Sequence, residues 1–277
     1  MTADAKRFCS VEHQRLKEPL VGKGGGLEPH LLLAWPRKKW VDHVFAAKDM
    51  PEAVFSRLEK LRDAGWRVQL IDRRSHDHSQ RSVIAPMSGQ AFRLTDEELP
   101  ALLDAFLEGQ AADQWCPGRS PERLILCCTH GKVDKCCAKF GNAAYQAVRG
   151  ENERGDYGFD VWECTHVGCC RLAANLVTLP ELRRYGWVEP ELVPELLSSE
   201  ARNRPYLPSY RGKAGLNALQ QTVDLAARYW LEDHGIHAEP SVPTVAAPDV
   251  PTVMTVRVDW SDGHQAGALD IRCRSRE

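Results

Sequence analysis

The sequence of 277 residues has no apolar run approaching the length of a membrane-spanning helix. Its first 26 residues begin polar and lack the continuous apolar stretch of a secretory signal. A cytoplasmic protein with no membrane partner is therefore expected. Charge of one sign is also missing: 36 Lys and Arg against 38 Asp and Glu leave a formal net charge of -2, which gives no electrostatic reason to expect nucleic acid as a partner. No C-x-x-C pair stands at a helix start, as a thiol oxidoreductase would require, and no pair of carboxylates declares a glycosidase site. There is no internal repeat beyond a doubled Cys-Thr-His at 128–130 and 164–166.

What is present is a sequence with 43% hydrophobic residues, long enough to bury a substantial core without cross-links. Seven of its ten cysteines nevertheless fall between residues 127 and 170, in two knots, Cys127-Cys128-Thr129-His130 through Cys136-Cys137 and Cys164-Thr165-His166-Val167-Gly168-Cys169-Cys170. In a reducing compartment, cysteines concentrated in this way hold metal more often than they form a disulfide framework. Thiolate sulfur favours zinc, copper(I) and iron-sulfur clusters.

Periodicity predicts strands at 30–35 and 67–72 with a helix over 51–64 between them, strands at 82–86 and 91–94, and a helix over 96–109. These form an N-terminal α/β lobe, residues 1–120, that ends in a polar linker at 110–121. A second lobe, residues 121–277, follows. It opens with a strand at 123–127, a helix over 137–150 and a strand at 159–163. A second helix is expected from Cys170, with Leu172, Leu176 and Leu179 on one face, stopping at Pro180. Helices at 191–199 and 215–233 and a hairpin of strands at 252–260 and 266–273 complete the chain. Each knot thus sits between a strand and a helix start, where unpaired N–H groups and a partial positive charge favour thiolates. Cys137 and Cys170 are the candidate ligands at the two helix starts.

The residues now resemble the sucrase/ferredoxin-like family, whose cluster domain is similar to thioredoxin-like 2Fe-2S ferredoxins. The first family signature matches Cys128-Thr129-His130-Gly131, Asp134 and Cys136-Cys137-Ala138. The second matches Trp162-Glu163, Thr165-His166-Val167-Gly168-Cys169-Cys170-Arg171, Ala173, Ala174, Leu179-Pro180 and Tyr185-Gly186. A later Arg-Gly-basic step matches Arg211-Gly212-Lys213. The likeness is specific over residues 123–190 and looser elsewhere, where Phe8-Cys9-Ser10 fits in outline. It implies an α/β fold with a thioredoxin-like ferredoxin domain and a ligand pattern that falls on Cys128, Cys137, His166 and Cys170. The family form with two histidines differs here, because position 170 is cysteine and Cys169 replaces a glycine.

Three thiolates and one imidazole around a 2Fe-2S core of charge +2 give -1 oxidised and -2 reduced. That lies between the all-cysteine and bis-histidine forms, so an intermediate potential is expected, histidine raising it from about -400 mV towards roughly -150 mV or above. The midpoint should rise as pH falls if reduction lets His166 take a proton. Cys127, Cys136, Cys164 and Cys169 are expected to be small buried core residues, and the register within the vicinal pairs stays open. His130 begins a Rieske-like Cys-x-His, but no partner Cys-x-x-His follows; it is expected to hydrogen-bond near the centre. Asp160 and Glu163 are expected as hydrogen-bonding groups at strand edges, and Trp162 and Arg171 as neighbours of the site.

The expectation is an electron carrier with one 2Fe-2S cluster and an unidentified redox partner protein, rather than an enzyme with its own substrate. A redox or iron sensor with the same cluster is the first alternative. A zinc-stabilised interaction protein is another, because the same four ligands make a closed tetrahedral zinc site.

Overall fold

The computed structural model describes residues 8–246 and 253–274. Thr252, the expected first residue of the tail hairpin, and residues 1–7 of the polar N-terminal stretch lie outside the described residues. A short helix α1 (Cys9–Arg15) precedes β1 (His30–Ala34), α2 (Glu52–Asp63), β2 (Arg67–Asp72), β3 (Arg81–Ala85), β4 (Gln90–Leu94), α3 (Leu99–Glu108) and a two-residue β5 (Gly118–Arg119). Next come β6 (Leu124–Cys128), α4 (Asn142–Gly155), β7 (Asp160–Cys164), β8 (Leu176–Leu179), β9 (Arg183–Tyr185), α5 (Val193–Ala201), β10 (Tyr210–Lys213) and α6 (Ala218–Asp233). The chain closes with β11 (Glu239–Ser241), β12 (Val253–Ser261) and β13 (Ala266–Arg274).

The first ten strands form one sheet in the order β10-β9-β8-β6-β7-β2-β1-β3-β4-β5. In the second half β6 and β7 are parallel, joined through α4, and β8 and β9 continue antiparallel beyond β6. A β-α-β unit followed by a hairpin, in the order β9-β8-β6-β7, is a thioredoxin-like arrangement. The first half repeats it: β1 and β2 are parallel through α2, β3 and β4 follow antiparallel, and the order β2-β1-β3-β4 is the same. Each unit ends in a helix, α3 or α5, packed on its crossover helix. The two meet edge to edge where β2 runs antiparallel to β7, with Ile71 opposite Cys164 and Asp72 opposite Glu163. The repeat is one of topology, which is why residue patterns showed only the doubled Cys-Thr-His.

Alternation along the strands separates the two faces. Leu31, Leu33, Val68 and Leu70 pack under α2 and α3, and Ile125, Cys127 and Val161 under α4 and α5. Leu32, Ile71, Ile84, Leu124, Leu126, Trp162 and Cys164 line the opposite face in one cluster that runs through both units and includes Cys128, Cys136 and Cys137. The tail hairpin packs Val256 and Val258 against Val223 and Ala227 of α6. Asn217 begins α6 with a reciprocal capping box, its side chain accepting from the Gln220 N–H at 2.9 Å while the Gln220 side chain accepts from the Asn217 N–H at 3.0 Å.

One expected helix is absent. From Cys170 the chain makes a single 3-10 turn to Leu172 and then enters strand β8, paired antiparallel with β6 from Leu124↔Leu179 to Cys127↔Leu176. Leu172, Leu176 and Leu179 fit helical spacing, but β-branched Val177 and Thr178 sit between them and all four residues of β8 are buried. A strand buried on both faces is apolar throughout and has no period to distinguish it from a helix.

Candidate metal centre

β6 and β7 end side by side, with Cys128 opposite Cys164, so both knots leave the sheet at the same edge. After Cys128 the chain turns through residues 129–136 and winds into a wide π-type turn over Cys137–Gly141 that continues as α4. Gly141 permits this, because a Cβ there would lie 1.9 Å from the Cys128 carbonyl oxygen. Only glycine lets the helix start approach the strand end closely enough to set Cys137 over Cys128.

The ligand atoms of Cys128, Cys137 and His166 lie within 4.8 Å of one another, as do those of Asp134, Cys137 and Cys170. Cys170 Sγ is 3.5 Å from His166 Nδ1. The four residues expected as ligands therefore form one connected group, and Cys137 bridges its two halves. Cys128 and Cys137 are buried, whereas His166 and Cys170 are half-buried. The centre thus reaches the surface on the side of the second knot.

Proton sharing among these atoms is strong. A hydrogen bond with Cys137 draws the Cys128 thiol well below its usual range against the cost of burial, and bonds from His166 and the N–H groups of His130 and Val167 act in the same direction. Cys137 is pushed up by its bonds to Cys128 and Cys170 and so keeps its proton. Cys170 falls to about 6, chiefly through Cys137 and then His166, which together outweigh burial. His166 rises to about 10 through Cys128 and Cys170. Three sulfurs and an imidazole that satisfy only one another, with backbone donors on the deepest sulfur, suit a cationic, thiophilic centre.

The surrounding residues fix the knots. His130 donates from Nε2 to the Val41 carbonyl at 2.6 Å, which leaves Nδ1 to accept the His166 N–H at 3.3 Å. Burial lowers its pKa, consistent with a neutral orienting residue. Glu163 accepts from Thr129 Oγ1 at 2.7 Å and pairs with Arg37 at 2.7 Å. Asp160 accepts from Trp162 Nε1 at 2.9 Å and pairs with Arg73, whose guanidinium covers the indole of Trp162. Arg171 pairs with Glu18 at 2.9 Å.

The other cysteines divide. Cys127 and Cys164 are fully buried, and burial pushes both thiols up, as expected of core residues. Cys136 is also buried, within the apolar cluster of the sheet's second face, with its sulfur 3.3 Å from Cys9 Sγ on α1 and its N–H donating to Asp134. Cys169 is not a core residue. It is half-buried beside the Arg171 guanidinium, because it lies at left-handed φ 60° in the connection between β7 and β8 rather than in a strand.

A family model described as sucrase/ferredoxin-like matches residues 20–212. The chain belongs to the sucrase/ferredoxin-like family. No curated protein matches it. Among solved structures, the thioredoxin-like [2Fe-2S] ferredoxin from Aquifex aeolicus is similar at 16% identity and a TM-score of 0.31, covering 35% of this chain and 94% of that one. A cysteine-to-serine variant of that ferredoxin gives 15%, 0.30, 32% and 96% respectively. The family match includes both knots and stops within β10.

Residue patterns missed three features of this sucrase/ferredoxin-like centre. Asp134, quoted only as part of a signature, brings a carboxylate to Cys137 and Cys170. Cys9, which the Phe8-Cys9-Ser10 match named only in outline, arrives from the far N-terminus to contact Cys136. A group of arginines, Arg67, Arg184 and Arg211, surrounds the second knot, and only the Arg211-Gly212-Lys213 step pointed to one of them. Beside His166 a cleft of about 530 Å³ is lined by Glu28, Arg62, Trp66, Arg67 and Gln69. No helix of the described residues is long and apolar enough to cross a membrane.

Proposed function

We propose that this protein is an electron-transfer protein that holds one 2Fe-2S cluster on Cys128, Cys137, His166 and Cys170. The convergence of three sulfurs and one imidazole at the shared edge of β6 and β7 carries this reading. When bound, such a cluster supplies a one-electron couple. Cys128 and Cys137 form the buried half of the donor set, and His166 and Cys170 form the half nearer the surface. His130 orients the second knot through the His166 N–H. The cleft beside His166 is lined in part by that imidazole and is the side from which a redox partner would approach it.

Anaerobic purification followed by iron and acid-labile sulfide analysis and an absorption spectrum tests this. A red-brown protein with two irons and two sulfides per chain is expected. Cys170→Ser and His166→Ala should each change the spectrum strongly, and Cys169→Ser should leave it unchanged. A colourless protein with one zinc per chain would overturn the reading. A spectrum sensitive only to Cys169→Ser would move the ligand register by one residue.

A further inference from the structure

Arg184 and Arg211 are 4% and 1% exposed, and their hydrogen bonds among the described residues go to neutral oxygens only. Arg184 Nε and Nη2 and Arg211 Nε have no hydrogen-bond partner among the described residues. Other buried arginines are treated differently: Arg183 pairs with Glu200 at 2.9 Å and Arg228 with Asp224 at 3.0 Å. A buried cation without an ion-paired carboxylate is costly, so these two guanidiniums stand apart from the other buried arginines of the described residues. Burial, with repulsion from Arg67 and Arg211, lowers Arg184 to about 10. Arg211 is likewise lowered by burial, with Arg67 and Arg171 adding repulsion.

The charge is directed at the second knot. Arg67 Nη2 donates to the Val167 carbonyl at 2.8 Å and Arg184 Nη1 to the same oxygen at 3.4 Å. Arg211 Nη1 donates to Asn175 Oδ1 at 2.9 Å, and Asn175 Nδ2 donates in turn to the Cys169 carbonyl at 3.1 Å. The Asn175 carbonyl accepts the Cys128 N–H at 3.0 Å, so the network touches both knots. Glu28 is the acid felt by Arg184, but it makes no ion pair with it, and its Oε2 is itself unpartnered.

We propose that Arg67, Arg184 and Arg211 are the counter-charge for an anionic metal-thiolate centre on residues 166–170, and that they make the centre easier to reduce. They take the place of the positive helix end that Cys170 lacks, because only a 3-10 turn follows it. Adding an electron makes a thiolate-bound centre more negative, and fixed, desolvated positive charge stabilises that state more than the oxidised one. This rests on the electron-carrier reading above.

The test is the midpoint potential of the full-length, cluster-loaded protein with Arg184→Gln, Arg211→Gln and the half-buried Arg67→Gln, beside the charge-conserving Arg184→Lys. Each glutamine variant should shift the reduction equilibrium tenfold or more towards the oxidised state, 59 mV per tenfold for one electron. Arg184→Lys should retain most of the parent midpoint. Thermal unfolding of the metal-free protein is the second measurement. Removing an unpaired buried charge should leave its midpoint temperature unchanged or raised, whereas a purely structural arginine would lower it. Arg67→Gln keeps the test open if a fully buried variant does not fold. An intact cluster with unmoved midpoints, or lysine and glutamine acting alike, overturns this inference alone. A protein that binds no cluster removes the electron-carrier reading and this inference together.

Discussion

At the scale of single residues, the centre is built from side chains whose chemistry depends on their neighbours. Cys170 shows this most clearly, since Cys137 and His166 hold its thiol at about 6 although it is half-buried. In metal-free protein, alkylation of Cys170 by iodoacetamide should therefore be nearly independent of pH from 7 to 9 and fall below pH 6. A thiol with an unperturbed pKa of about 8.5 would instead gain about tenfold in rate per pH unit up to that value. Mass mapping of the labelled peptide checks this, and a rate that climbs steadily from pH 6 to 8 contradicts it. The four candidate ligands come from the family resemblance, whose signatures are short and local, and the structure brings them into one group. The arginines were not legible in this way, since Arg67, Arg184 and Arg211 come from β2, β9 and β10 and meet only through the sheet.

At the scale of elements, most strands and helices follow from apolar periodicity and turn residues. β1, α2 and β2 fall where Leu31, Val54, Leu58 and Leu70 place them, and α3 is bounded by Gly109 at φ 65°. β8 was not legible, because a strand buried on both faces offers no alternation and its leucines mimic a helix face. That difference matters for function, since it removes a helix dipole from Cys170 and leaves the arginines in its place. α6 begins later than its apolar stripe suggests, because Asn217 and Gln220 fix its first turn. Asn217→Ala should lower stability by about 1 kcal/mol in urea unfolding. It should leave the absorption of the loaded protein unchanged, because the cap lies in the tail region outside both knots. An unchanged urea midpoint would show that the capping box adds nothing.

At the scale of the whole molecule, two thioredoxin-like units share one sheet, and only the second carries the cysteine knots. The first unit is not a detached neighbour. β2 pairs with β7 directly beneath the second knot, Thr165 N–H donates to the Leu70 carbonyl at 2.9 Å, and Thr165 Oγ1 accepts the Leu70 N–H at 3.0 Å. Arg37 from the first unit reaches Glu163, and Val41 holds His130. The first unit thus positions both knots, a role that composition and motif spacing could not reveal because it rests on pairing between distant strands. The proposed centre has one imidazole among its ligands. The most direct measurement is pulsed electron paramagnetic resonance of the reduced protein, which counts strongly coupled nitrogens. A single such nitrogen, lost in His166→Ala and kept in His130→Ala, is the predicted result. No coupled nitrogen, or one that disappears with His130 instead, would contradict the account.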